Sequence, residues 1–140
     1  MDSASYEILH DPPKAHELPD RIELFCEFAN SQKHDPRFIH PVVKGILLHF
    51  WLAYIHPFAD GNGRTARALF YWYMLANDYW LFEYLPISYH LKKSRAQYEK
   101  AFLYAEQDGD DATYFIVYHL KAIERALRSL QDYLAKIAPI

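Results

Sequence analysis

The chain has 140 residues, 51% of them hydrophobic and 17% aromatic, with a formal net charge of −3. A chain of this length is by default one domain that buries roughly two thirds of its unfolded surface, and its apolar content argues against disorder. The weak negative charge gives no general reason to expect nucleic-acid binding, and Cys26 is the single cysteine, so no intramolecular disulfide can form and a reducing, cytoplasmic compartment is expected.

The first residues, MDSASYEILHD, lack the basic start and apolar run of a signal peptide. No stretch approaches about 18 uninterrupted apolar residues, so a membrane-spanning helix is not expected. Tyr6 to Leu9 reads as a short edge strand ended by Pro12 and Pro13. Pro19 fits the first turn of a helix running to about Asn30, with Ile22, Phe25, Cys26 and Ala29 as its apolar stripe. SQKHDPRF is a loop.

A second helix is predicted from His40-Pro41 to Ile55. Val42, Val43, Ile46, Leu47, Phe50, Trp51 and Tyr54 cover most of its circumference, the mark of a central helix. Pro57 requires it to end or bend by His56. Another apolar helix follows from about Gly63 to Asn77. Downstream, Ser94 and Gln97 read as a capping box opening a helix to about Gln107. DGDD at 108–111 reads as a turn and helix start. The last helix, about 111–137, carries Ile116, Leu120, Ile123, Leu127, Leu130, Leu134 and Ile137, a heptad-like seam suited to core packing or to docking on another subunit. No repeat or low-complexity segment interrupts this order. The fold class is all-α, with a small β-hairpin near the start.

Between the two apolar helices stands HPFADGNGRTAR, residues 56–67. Gly61 and Gly63 permit a turn whose successive N–H groups form a concave nest for an anion. The following helix adds the positive end of its dipole. Arg64 and Arg67 share a face in its first turn, where the usual preference is for acidic residues. A bound phosphate chain would offset that cost and suits the planar fork of arginine. Asp60 is the one carboxylate of the loop, fit to hold Mg²⁺ beside phosphate oxygens. Asn62 can donate to a phosphate oxygen. His56, at the loop entrance, can take a proton from an incoming hydroxyl. Phe58 is expected to turn inward and pin the loop to the core. Each residue has a plain structural use by itself: a histidine caps a helix, Gly-Asn-Gly makes a turn, arginines solvate a surface. Their coincidence in twelve residues between two buried helices favours phosphoryl or nucleotidyl transfer. The P-loop pattern is not met, since no Gly-Lys-Ser/Thr follows. His49 and His56, two turns apart, lack an obvious third ligand for a metal.

HPFADGNGR, with Arg67 three residues later, resembles the Fic signature at every fixed position. IHPVVKGILLHFWLAYIHPF is similar to the helix before that motif, ILHDPPKAHELPDRIELFCEFAN to the flap and the helix after it, and SRAQYEKAF to a later helix lining the nucleotide pocket. The resemblance covers nearly the whole chain. It implies a single Fic domain over 1–140, a helical bundle around a central buried pair, with a flap at about 6–17 and the motif loop at 56–63, the core of a longer protein or a short natural form. It implies an enzyme that moves AMP from ATP to a Tyr, Thr or Ser hydroxyl of a target protein, releasing pyrophosphate. His56 would be the general base and Asp60 the Mg²⁺ ligand. Gly61, Asn62 and Gly63 would cradle the α-phosphate, and Arg64 and Arg67 would hold the β- and γ-phosphates. Tyr98 would pack near adenine. The flap, with Ile8, Leu9 and His10, would align the target by strand addition.

Many Fic proteins carry an inhibitory helix with Ser or Thr, three residues, Glu, then Gly or Asn. Ser3 to Glu7 has the first spacing, but Ile8 follows, so self-inhibition in cis is not expected and an inhibitory partner or segment would lie elsewhere. Self-modification and a homodimer are compatible with this reading. The alternatives are transfer of another phosphate-containing group or of a phosphoryl group, and, from another class, a catalytically idle helical interaction module.

Overall fold

A computed structural model describes residues 12–31, 38–108 and 111–138. These form helices α1 (Leu18–Asn30), α2 (Pro41–Ile55), α3 (Asn62–Ala76), α4 (Ile87–Lys93), α5 (Arg95–Gln107) and α6 (Thr113–Ile137), with short 3-10 segments at Ala15–Glu17 and Trp80–Tyr84. No strand occurs among the described residues, in keeping with an all-α fold. Residues 12–14 are irregular and 15–17 are helical. The rest of the expected hairpin, Ile8, Leu9 and His10 included, lies outside the described residues. No described helix is long and apolar enough to cross a membrane. The chain divides into two compact units, Met1–Asp78 and Tyr79–Ile140, where the sequence reads as one domain.

In the first unit, α2 is the centre. Pro41 occupies its first turn, and His40 accepts the Val42 N–H on its ring nitrogen, satisfying one of the donors a helix start leaves open. Every residue from Lys44 to Ile55 except Leu47, Trp51 and Tyr54 is buried. The face that α1 turns to α2 differs from the expected stripe. Ile22 and Cys26 are exposed. Phe25 and Phe28 meet the Trp51 ring at 5.7 and 5.4 Å, and Arg21 lies over Tyr54 at 5.9 Å. Aromatic rings bury more area than Ile22 or Cys26 and find a ring partner, so they set the helix rotation.

Lys44 is buried, yet its charge is well provided for. Its ammonium donates to Ser31 Oγ at 2.6 Å and to the Ser31 carbonyl at 3.2 Å. It also sits over the Phe28 and Tyr73 rings at 5.0 and 5.6 Å, joining all three helices of the unit.

The central pair α2–α3 packs closely because Gly45 has no side chain. A methyl group there would stand 2.5 Å from Met74 Cε and 3.2 Å from Phe70. Both neighbours are fully buried. Gly45→Ala should therefore destabilise the protein: overpacking costs about 1–3 kcal/mol, against a helix-propensity gain of about 1 kcal/mol. A lower urea midpoint at unchanged slope is the expected result. A higher midpoint would mean that Met74 yields without cost.

The second unit packs α6 against α4 and α5. Phe102 and Tyr98 on α5 meet Phe115 on α6 edge-on at 6.2 and 5.6 Å. The buried face of α6 is Phe115, Tyr118, His119, Ala122, Ile123 and Ala126. Only Ile123 of the expected seam is buried, and Leu120, Leu134 and Ile137 are exposed. Small alanines allow close helix approach, so the packed stripe lies one position to the side of the leucines. Asp111, just before the N-cap Ala112, accepts the Thr113 N–H at 3.0 Å at the start of α6. The capping box at Ser94 does not form. Its hydroxyl donates back to the His90 carbonyl at 2.7 Å and also meets the Tyr118 hydroxyl. Burial beside a tyrosine gives that hydroxyl stronger partners than an exposed helix start would.

Candidate active site

The loop between α2 and α3 is shaped by two left-handed residues. His56 closes α2 with φ 52° and ψ 55°, its N–H still bonded to the Leu52 carbonyl at 3.0 Å. A non-glycine residue in this region costs of order 1 kcal/mol and is kept where the surroundings require it. Here the helix must stop before Pro57, and αL is one of the few exits. Gly61, with φ 84°, caps the start of α3, and at this angle any Cβ is strained.

Between them the chain is held by one side chain. Asn62, buried at the first position of α3, accepts the Phe58 N–H at 2.9 Å and donates to the Phe58 carbonyl at 2.8 Å. Its carboxamide thus holds the loop through its oxygen and one of its two N–H donors. The reason is geometric: left-handed Gly61 folds the chain back, which brings the carboxamide onto the Phe58 peptide. The expected anchoring by the Phe58 ring differs, because the ring is 50% exposed. Phe58 fastens the loop through its backbone.

Asn62→Ala removes two part-buried hydrogen bonds, each worth about 0.5–1.5 kcal/mol. It should lower stability by about 1–3 kcal/mol, against less than about 1 kcal/mol for Phe58→Ala at a half-exposed ring. Chemical denaturation of both variants measures the contrast, and a larger loss in Phe58→Ala would return the ring to the core.

No side chain caps α3, and its first turn carries no acidic residue. Thr65 donates its N–H and its hydroxyl to the Gly61 carbonyl at 2.9 and 2.8 Å, fixing the first turn. The amides of Asn62 and Gly63 precede the first intrahelical donor and lie at the positive end of the helix dipole. Both arginines stay at this end. A methyl group on Gly61 would lie 3.5 Å from Arg64 Nη2, and one on Gly63 would lie 3.4 Å from Arg67 Nη1. Arg64 reaches across the loop to Asp60 at 3.3 Å, with the two side chains 74% and 90% exposed. No group of three or more His, Cys, Asp or Glu among the described residues could hold a metal, so a cation at Asp60 must draw the rest of its shell from a ligand and water.

The motif residues therefore share one unit, on one short loop and the first two turns of α3. Tyr98 stands in the second unit, where its ring meets Phe115 and Tyr118 at 5.6 and 6.1 Å. The Asn62 clasp and the Asp60–Arg64 pair went unread in the sequence. A spacing of four between Asp60 and Arg64 was the available signal for the pair.

An uncapped, arginine-flanked helix start is suited to an anion such as a phosphate group. Residues 2–74 match the family model "Fic/DOC family", and the chain belongs to that family. A protein adenylyltransferase Fic from Nematostella vectensis is 45% identical over 60 residues, covering 43% of this chain and 14% of that protein. Another, from Drosophila mojavensis, is 35% identical over 101 residues, covering 72% of this chain and 18% of that protein. The crystal structure of a Fic family protein from Desulfovibrio desulfuricans G20 superposes with a TM-score of 0.77 at 28% identity, over 90% of this chain and 37% of the other. The chain thus spans less than a fifth of the length of these two adenylyltransferases.

Proposed function

We infer that this chain is the catalytic core of a protein adenylyltransferase, moving AMP from ATP to a Tyr, Thr or Ser hydroxyl of a target protein. The observation that carries the reading is the open start of α3, uncapped and free of acidic side chains, with the arginines turned toward it and His56 at the other end of the same short loop. The adenylyltransferases among its relatives support the choice of reaction. In it, His56 takes the proton of the acceptor hydroxyl as its oxygen attacks the α-phosphorus. The bond from that phosphorus to the bridging oxygen breaks, and pyrophosphate leaves with both bonding electrons. The amides of Gly61 to Gly63 stabilise the charge that grows on the α-phosphate, and Arg64 and Arg67 orient the β- and γ-phosphates. Asp60, a hard oxygen donor open to solvent, suits Mg²⁺, which would supply charge neutralisation on the polyphosphate.

Tyr98 is assigned to the adenine, and the segment with Ile8, Leu9 and His10 to alignment of the target chain. The acceptor includes hydroxyls of a second copy of this protein, and the site of action is the cytoplasm.

Incubation with Mg²⁺, a mixture of cellular proteins and ATP labelled at either the α- or the γ-phosphate tests the reaction. Protein should take up α-label and no γ-label. Uptake of γ-label would instead assign phosphoryl transfer, and uptake of neither would leave transfer of another phosphate-containing group, tested with other labelled nucleotides, or a helical interaction module.

A further inference from the structure

Within the second unit, α4 and α6 bring three basic side chains together around one hydroxyl. His90 is buried on α4, and its Nε2 lies 3.3 Å from the Ser129 hydroxyl on α6. Lys93 stands one turn after His90, and Arg125 one turn before Ser129, so each shares a face with its neighbour. We propose that His90, Lys93, Arg125 and Ser129 form a binding site for a tetrahedral dianion of the phosphate-monoester class. The proposal stands apart from the nucleotide reading of the motif loop.

The cluster lacks a counter-charge. Among the described residues no carboxylate pairs with Lys93 or Arg125. Glu124, next to Arg125, is taken by Arg128 at 2.6 Å, and Glu99 on α5 is taken by Arg95 at 3.2 Å. Tyr118 on α6 turns its hydroxyl to Ser94. Arg125 is held only along its own helix, by Nε on the Lys121 carbonyl at 3.4 Å, which leaves its terminal N–H groups to a ligand. Lys93 lies over the Tyr89 ring at 5.8 Å, and that ring meets His90 edge-on at 5.2 Å. Burial first, then the charges of Arg125 and Lys93, lower the pKa of His90. A dianion reverses the second cause. It offsets both cations and favours the imidazolium, which then donates to it. Four donor groups and the planar guanidinium fork suit a phosphate ion, whereas a carboxylate brings fewer oxygens and half the charge. His90 thus takes up a proton as the anion binds, and by reciprocity the anion binds more tightly as the pH falls.

Sulfate is the cleaner probe, because it stays a dianion where phosphate itself titrates. Nuclear magnetic resonance of the whole chain, read at the His90 ring and the Ser129 amide, follows this site separately from the start of α3. At constant ionic strength, with chloride as the reference, sulfate should give saturable shifts at both positions. Its affinity should be about 2- to 5-fold higher at about pH 6.0 than at about pH 7.5. Arg125→Gln, a change at an exposed side chain, should weaken binding by about 3- to 10-fold, and Arg125→Lys should restore part of the loss. Inorganic phosphate and O-phosphoserine then separate two sources of the same chemistry. Tighter binding of the ester assigns the phosphate of a larger molecule, and equal or weaker binding assigns the free ion. Shifts no larger than those from chloride, or an affinity untouched by Arg125→Gln, overturn the site and leave a solvated basic surface. An affinity level between the two pH values overturns it as well, since a site floored by His90 must take up a proton.

Discussion

Replacing His56 by asparagine should lower the transfer of α-label by about 10²- to 10⁴-fold, the usual cost of removing a general base, which is the role proposed for it. Asparagine is the informative choice because of the backbone. His56 lies at φ 52°, where asparagine is among the residues that sit most readily. Alanine would lose the base and add strain of order 1 kcal/mol, mixing two effects. With asparagine the left-handed exit from α2 survives, so the loop that carries Gly61, Asn62 and Gly63 keeps its place. The expected pattern is therefore a large drop in rate at an unchanged unfolding midpoint and an unchanged affinity for Mg-ATP. A variant active within about threefold of the parent would remove His56 from the proton transfer and leave it as a helix terminator. A variant that also loses ATP affinity would mean that the imidazole shapes the phosphate site.

The sequence carried the parts of this arrangement that depend on local chemistry. Pro41 and Pro57 bracket α2 because proline sets what a helix can do on either side of it, and the observed span, Pro41–Ile55, follows. The all-round apolar character of that helix foretold its central place. Gly61 marked the turn because only glycine takes φ 84° without strain. What escaped the sequence depends on which of several competent neighbours wins. Asn62 reads as a group free for a ligand, and the fold of the turn also makes it a clasp on its own loop. Ser94 can cap a helix or bond backward, and the approach of Tyr118 from twenty-four residues away decides. The leucine seam of α6 reads as a core face, yet alanines at 122 and 126 permit a closer approach and take the buried side. Helix α4 is only seven residues long, too short for a periodic pattern to declare itself.

Acid should loosen the second unit, and the cause is His119. Its ring is fully buried on α6 beside Phe115, and burial pushes its pKa down to about 3. In the unfolded chain the same group titrates near about 6.5. The folded value is the lower one, so the unfolded state binds more protons between those two pH values. Stability from this residue is then complete above about pH 6.5 and falls as the pH drops toward 3, at about 1.4 kcal/mol per pH unit. From pH 7.5 to pH 5.0 the expected loss is about 2 kcal/mol. His90, on α4, adds to the loss with the same sign. Its pKa is lowered by burial first, then by the charges of Arg125 and Lys93. Its ring nitrogen lies 3.3 Å from Ser129 Oγ on α6, so both histidines sit where α6 meets its neighbours. Hydrogen exchange of the α6 amides, corrected for intrinsic rates, reads this unit alone, whereas a global melt would mix in the first. The opening free energy of Phe115 to Ala126 should fall across that pH range, and His119→Leu should flatten most of the slope. A slope unchanged by His119→Leu would place the acid sensitivity in His90 or outside α6. The absolute stability of the variant does not enter, since the slope alone counts protons.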